Sequence, residues 1–360
     1  MGDNVLEQIA ALKDEDWAIR QEAATALGAA RDARAVQPLL ALLEDSDRAV
    51  REAAIAALAA IGDAAVQAVT TSLASSSLTV QESAAAILSE IADLRAIDPL
   101  LVALGSADWI VRMHAAKALG RIADARAVPS LTLLLQDKVK AVRVEAAIAL
   151  ARIGRAAVPV LLQALGHVDW LVRLHAVEAL GKTKSPEAVE PLLSVLFNDR
   201  DAAVREDAVR SLGEIGDPRA IECLMVVMKE PGLRPLAAEA LGSIGDRRAV
   251  PALMDVVTGA SRPAQTRTID GCGDRWDEEM SAMGAAVRAL GKIRDERAIP
   301  TLIAALQNTA IRAEASSALA AFGPVAIPFL VEVLRKEKDG NILFYTKEAL
   351  TALGWRPNRL

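Results

Sequence analysis

The sequence predicts an all-α fold, a right-handed α-solenoid of about eleven two-helix repeats. Three observations predict it. A short text close to Ala-Leu-Gly recurs along the whole chain, with its third position at Gly28, Ala59, Ser89, Gly120, Ala151, Gly181, Gly213, Gly242, Gly291, Ala320 and Gly354. The spacings are 31, 30, 31, 31, 30, 32, 29, 49, 29 and 34 residues, and self-similarity near 30 residues marks stacked supersecondary units. Within each unit the apolar residues recur at helical spacing. Finally, 52% of the 360 residues are hydrophobic but only 3% are aromatic, so Ala, Leu, Val and Ile build the core, as suits closely packed helices.

Each unit holds an outer and an inner helix. The outer helix follows the pattern of "DARAVPSLTLLLQD", Asp124 to Asp137, in which an Asp caps, Pro129 falls near the start and Val128, Leu131, Leu134 and Leu135 form one apolar face. The inner helix follows "VRVEAAIALARIG", Val142 to Gly154, with Val142, Ala146, Leu150 and Ile153 at helical spacing. A glycine ends many inner helices, at Gly62, Gly154, Gly216, Gly245 and Gly323, where the chain turns with positive φ. Gly120 instead falls inside its helix. A mid-helix glycine costs about 1 kcal/mol relative to Ala, which implies a close crossing with a neighbouring helix.

No linker interrupts the array, so residues 1–360 read as one domain with terminal units near Asp3 and Gly354. The 49-residue interval carries an insertion, residues 258–280, which is expected to form a loop. Two cysteines, Cys223 and Cys272, are too few for a disulfide framework. The start "MGDNVLEQIA" has no signal-peptide pattern, so a reducing cytoplasm is the expected location. No apolar run reaches membrane-span length without interruption. A net charge of −6 with interspersed signs supplies no global field for polyanions.

The repeat text resembles the HEAT-like repeat of the phycobilisome-lyase type, whose consensus is close to "VRxxAAxALGxIGDxRAVPxLxxxL". "VRSLGEIGDPRAI" and "EALGSIGDRRAVPAL" are near that consensus, and the resemblance spans essentially the whole chain. It implies a HEAT-like solenoid that acts as a scaffold or as a lyase subunit.

Several candidate chemistries are set aside by spacing. The element Asp-x-x-x-Arg recurs at Asp16/Arg20, Asp47/Arg51, Asp108/Arg112, Asp169/Arg173 and Asp201/Arg205. Recurrence at the repeat period indicates a capping Asp and an Arg in an inter-repeat charge ladder. His114 and His175 occupy one column two repeats apart, roughly 20 Å if packed helices are about 10 Å apart, too far for one metal ion. His167 finds no partner ligand. The dimetal hydroxylases that resemble HEAT-like arrays use His-Glu pairs, and no His-Glu pair occurs here. Across the slots that such a repeat turns toward its groove, ten acids, including Glu22, Glu52, Glu82, Glu145 and Glu178, face six bases. That balance disfavours nucleic acid.

What repeat grammar does not demand is a group of apolar, aromatic and imidazole residues in units four to six. They are Trp109, Ile110, Met113 and His114, their echo Trp170, Leu171, Leu174 and His175, and Val144, Glu145 and Ile148 between them. At groove slots they are expected to form an exposed patch that binds a partner. The insertion, expected to contact a partner or to be disordered, adds Arg262, Arg267, Cys272, Arg275 and Trp276. The expected function is a non-catalytic scaffold or adaptor that binds a protein partner, with no cofactor, metal, nucleic acid or membrane. The alternative, implied by the resemblance alone, is a phycobilin-lyase subunit holding a tetrapyrrole in the groove.

Overall fold

Each repeat enters a short outer helix through a 3₁₀ turn and then runs back along a longer inner helix. The computed structural model describes residues 2–259 and 272–356, with side chains for 4–259 and 277–356. Among the described residues every regular element is helical, as expected for an all-α solenoid. The chain divides into two compact units, Met1–Thr183 and Lys184–Leu360. The first unit contains inner helices 1 to 6: Trp17–Ala30, Arg48–Ile61, Leu78–Ile91, Trp109–Ile122, Lys140–Ile153 and Trp170–Thr183. The second contains inner helices 7 to 11: Ala202–Ile215, Arg234–Ile244, Cys272–Ile293, Arg312–Ala321 and Gly340–Ala352.

The core of each unit lies between the outer and inner helices. In the fourth repeat Ile97 and Leu100 of the outer helix and Val111, Ala115, Ala118 and Leu119 of inner helix 4 are all essentially inaccessible. Small side chains bring neighbouring inner helices together. A Cβ built on Gly120 would stand 2.6 Å from the Cα of Ala149, on inner helix 5. The close crossing expected from the interior glycine is present.

Two arginine devices hold the repeats in register. In the first, Asp124 accepts from the Arg126 backbone N–H at 2.8 Å and from Arg126 Nε at 3.1 Å, which closes the 3₁₀ turn before the outer helix. The same Asp-x-Arg turn recurs at Asp32, Asp93, Asp217, Asp246 and Asp295. The arginine hydrogen bond holds the carboxyls of Asp32, Asp93 and Asp295 down at about 2. In the first unit Arg95 also reaches back to the Asp63 carboxylate.

The second device is the Asp-x-x-x-Arg element, and it is structural, as its recurrence indicated. Asp108 caps inner helix 4 by accepting from the Ile110 N–H at 2.7 Å. Arg112 donates to the carbonyls of Ser106 and Ala107 at 2.8 and 3.0 Å, and to both oxygens of Asp137 at 2.7 and 3.0 Å. Asp137 belongs to the next repeat, where it also accepts from the Val139 N–H. Arg20 and Asp45 repeat this arrangement at 2.7 and 2.8 Å.

At Arg143 the ladder leaves a buried donor unmet. Arg143 donates to the Asp137 and Lys138 carbonyls, but its Nε is buried without a hydrogen-bond partner. The slot of Asp45 and Asp137 is held in the next repeat by His167, whose Nδ1 accepts from the Asp169 N–H at 3.1 Å. His167→Asp is expected to restore the missing acceptor and to stabilise the protein by about 1 kcal/mol. The measurement is the urea midpoint at constant slope. An unchanged or lower midpoint would show that the slot does not serve Arg143.

Two expectations change. Arg48–Ser72 has the length and apolar composition of a membrane-crossing helix. It is nevertheless two helices, Arg48–Ile61 and Val66–Ser72, because the chain turns at Gly62 with φ +69°. The insertion, residues 258–280, is also not one loop. The preceding outer helix runs to Thr258, and inner helix 9 begins at Cys272, giving it 22 residues where the inner helices of the first unit have 14. Residues 272–280 thus continue the inner helix.

Candidate interaction face

An α-helix advances 100° per residue. The first, second, fifth, sixth, ninth and thirteenth residues of an inner helix therefore share an arc of roughly 140°. The core side takes the others, such as Val111, Ala115 and Leu119. On inner helix 4 this arc carries Trp109, Ile110, Met113, His114, Lys117 and Arg121. On inner helix 5 it carries Lys140, Ala141, Val144, Glu145, Ile148 and Arg152, and on inner helix 6 Trp170, Leu171, Leu174, His175, Glu178 and Lys182. Inner helix 5 packs directly against both neighbours, so the three arcs form one face within the first unit.

Most of the expected patch is reached by solvent. Trp109 is 40% exposed and Trp170 41%. Ile110, Met113, His114, Val144, Glu145, Ile148, Leu171 and Leu174 are half-buried. His175 departs from the expectation. It is only 4% exposed, its Nδ1 lies 3.4 Å from Glu178 Oε2, and its Nε2 has no hydrogen-bond partner. His175 thus fills space beneath the face and offers no imidazole to a partner. Trp17, at the same slot of inner helix 1, is 48% exposed, so an exposed indole at this slot does not depend on apolar neighbours.

Besides Lys117, Lys140, Glu145 and Glu178, this face carries a cation at the thirteenth position of each helix, Arg121, Arg152 and Lys182. Lys117 and Arg121 both bind the Glu90 carboxylate, at 2.9 and 2.7 Å, and hold it down at about 2. His175 first, and then Lys182 at 2.5 Å, hold Glu178 at about 2, against the opposing effect of burial. Burial, and then Lys117, push the His114 imidazole below its ordinary value, so it is neutral at pH 7. Arg152 is exposed and has no ion pair among the described residues. The detectable signal was the residue just before the closing turn of these three helices, which reads Arg121, Arg152 and Lys182. In inner helices 1 to 3 the same slot holds Ala29, Ala60 and Glu90.

Arg262 and Arg267 lie outside the described residues. Cys272, Arg275 and Trp276 fall in inner helix 9 of the second unit, and their side chains lie outside the described set. Among the described residues no three His, Cys, Asp or Glu side chains form a group able to hold a metal ion. His114 and His175 stand on helices 4 and 6 with helix 5 between them.

Solved structures that align with the chain include importins. Yeast importin-β (Kap95p) aligns with a TM-score of 0.64 at 15% identity, over 98% of this chain and 57% of that one. A second Kap95p structure, with RanGDP, aligns with a TM-score of 0.65 at 16% identity, over 98% and 56%. Kap121p aligns with a TM-score of 0.60 at 14% identity, over 98% and 46%. At these identities the likeness carries the fold, and the chain spans little more than half the length of importin-β. No curated protein matches the chain. The family of HEAT repeats matches residues 5–86, 68–143, 131–196, 189–269 and 277–354. With nearly its whole length matched, the chain belongs to the HEAT repeat family.

Proposed function

We propose that the protein is a non-catalytic, cytoplasmic scaffold or adaptor, a single array that holds a polypeptide partner on the face of inner helices 4 to 6. The observation that carries this reading is the pair of part-exposed indoles, Trp109 and Trp170, bracketing a strip of half-buried Ile110, Met113, Val144, Ile148, Leu171 and Leu174. Contiguous exposed apolar surface usually marks a binding site, and aromatic anchors carry much of the affinity at such sites. Proteins of this fold support a protein ligand: Kap95p is solved with RanGDP and with Nup1.

The test is Trp109→Ala with Trp170→Ala. Each truncation is expected to weaken partner capture by about 2 kcal/mol or more. Because both indoles are part-exposed, the stability loss should fall below the roughly 3 to 5 kcal/mol of a fully buried Trp. Trp17→Ala, whose neighbours are Ala18, Gln21 and Glu22, serves as the control. Capture from the native host by the wild type and the Trp17 variant, lost in the folded double variant, supports the scaffold. Unfolding without a selective loss of capture returns the indoles to a packing role. A recovered complex bearing bilin absorbance would instead support the lyase-subunit reading of the repeat resemblance.

A further inference from the structure

We infer that the partner segment is acidic: an extended stretch of polypeptide whose apolar side chains lie over Met113, Val144, Ile148 and Leu174 and whose carboxylates meet Arg121, Arg152 and Lys182. This inference rests on the docking face proposed above and adds the chemistry of what docks there. Charge complementarity is the basis. Three successive inner helices end in a cation at the thirteenth position, while the three before them end in Ala29, Ala60 and Glu90. The cationic row therefore coincides with the apolar strip and is not a general property of the repeat. Two of its members are partly neutralised, Arg121 by Glu90 and Lys182 by Glu178. Arg152, at the centre, is exposed and without an ion pair among the described residues, in a chain whose net charge is −6.

Geometry sets the spacing of the acids. Packed helices lie about 8 to 10 Å apart, and a segment in the extended polyproline II form advances about 3.1 Å per residue with three residues per turn, so every third side chain returns to the same face. A segment crossing the three helices therefore passes one helix about every third residue, so acids at i, i+3 and i+6 meet Arg121, Arg152 and Lys182 in turn. The cations stand one helical turn beyond Lys117, Ile148 and Glu178, so carboxylates align along one edge while apolar groups cover the strip. A nucleic-acid backbone fits less well, because Glu145 and Glu178 stand inside the face among aliphatic side chains.

The experiment uses the full chain and two labelled peptides of about 12 residues that share the same apolar positions. One has Asp at i, i+3 and i+6, and the other has Lys there. By fluorescence anisotropy at low salt the acidic peptide is expected to bind roughly tenfold tighter. The preference should shrink toward parity in 1 M salt, where the Debye length is about 3 Å. Arg152→Glu, at an exposed position without an ion pair, should erase the preference, and Arg152→Gln should reduce it, both with unchanged circular dichroism. Equal binding of the two peptides that is still lost in Trp109→Ala/Trp170→Ala would overturn the acidic inference and leave the docking face standing. Binding of neither peptide, or binding of oligo(dT) in their place, would overturn both.

Discussion

Gly120→Ala is expected to lower the stability of the first unit by roughly 3 kcal/mol, through overpacking at a helix crossing. The sign runs against two local effects. Alanine is about 1 kcal/mol better than glycine inside a helix, and it also reduces the freedom of the unfolded chain. Neither offsets the contact. The new Cβ would stand 2.6 Å from Ala149 Cα and 2.7 Å from Ala149 Cβ, a backbone atom and the first atom of a side chain, and no rotamer change moves either one. Inner helices 4 and 5 must separate, which uncovers the apolar surface between them. Ala59 and Ala151 hold the same position in other repeats, so the helix itself accepts alanine there. Gly28, whose Cβ would stand 2.7 Å from Ala57 Cα, should show the same effect. Thermal and urea unfolding measure it, and an unchanged or raised midpoint for Gly120→Ala would show that the crossing yields freely.

That crossing was legible in the sequence because a glycine inside a strongly periodic helix has few explanations other than close approach. The Asp-x-x-x-Arg ladder was legible for a related reason: a motif repeated at the structural period serves the period. The Asp-x-Arg turns recur at six places against five, and they were passed over because Asp124 and its equivalents had already been assigned as simple caps. Other features depend on three-dimensional context that one sequence does not carry. His114 and His175 share a column and nearly identical text, yet one is half-buried and the other inaccessible. Their surroundings differ: Glu178 stands 3.4 Å from His175 Nδ1, where the same slot beside His114 holds Lys117. The cationic row was missed because the groove slots were taken from the middle of the inner helix. The 100° step shows that the thirteenth residue shares their face. The insertion was expected to form a loop because insertions between repeats usually do, but inner helix 9 extends back through Glu279 to Cys272.

Arg112→Met should destabilise the first unit by roughly 3 to 5 kcal/mol at pH 7, the cost of leaving a buried carboxylate without its partner. The Asp137 side chain is 7% exposed, against 14% for Arg112, so water cannot readily replace the two lost charge-assisted hydrogen bonds. Methionine preserves much of the aliphatic stem and thereby isolates the guanidinium, which joins the Ser106 and Ala107 carbonyls to Asp137 of the following repeat. Adding Asp137→Asn should recover a large part of the loss, because it removes the stranded charge. The pH dependence separates this account from simple packing. In the wild type, burial pushes the Asp137 carboxyl up, but hydrogen bonds from Arg112 and the Val139 N–H hold it below its ordinary value. Its contribution is therefore present above the unfolded value, near pH 4, and is lost as pH falls through the folded one. In Arg112→Met the main opposing bond is gone, so the carboxyl rises and the variant loses less on acidification. The stability gap between the two proteins should be widest at pH 7 and should narrow as pH falls from the raised carboxyl of the variant through the lowered one of the wild type. A gap that stays constant over that range would assign the loss to the arginine's carbonyl bonds and its packing, and not to the charge of Asp137.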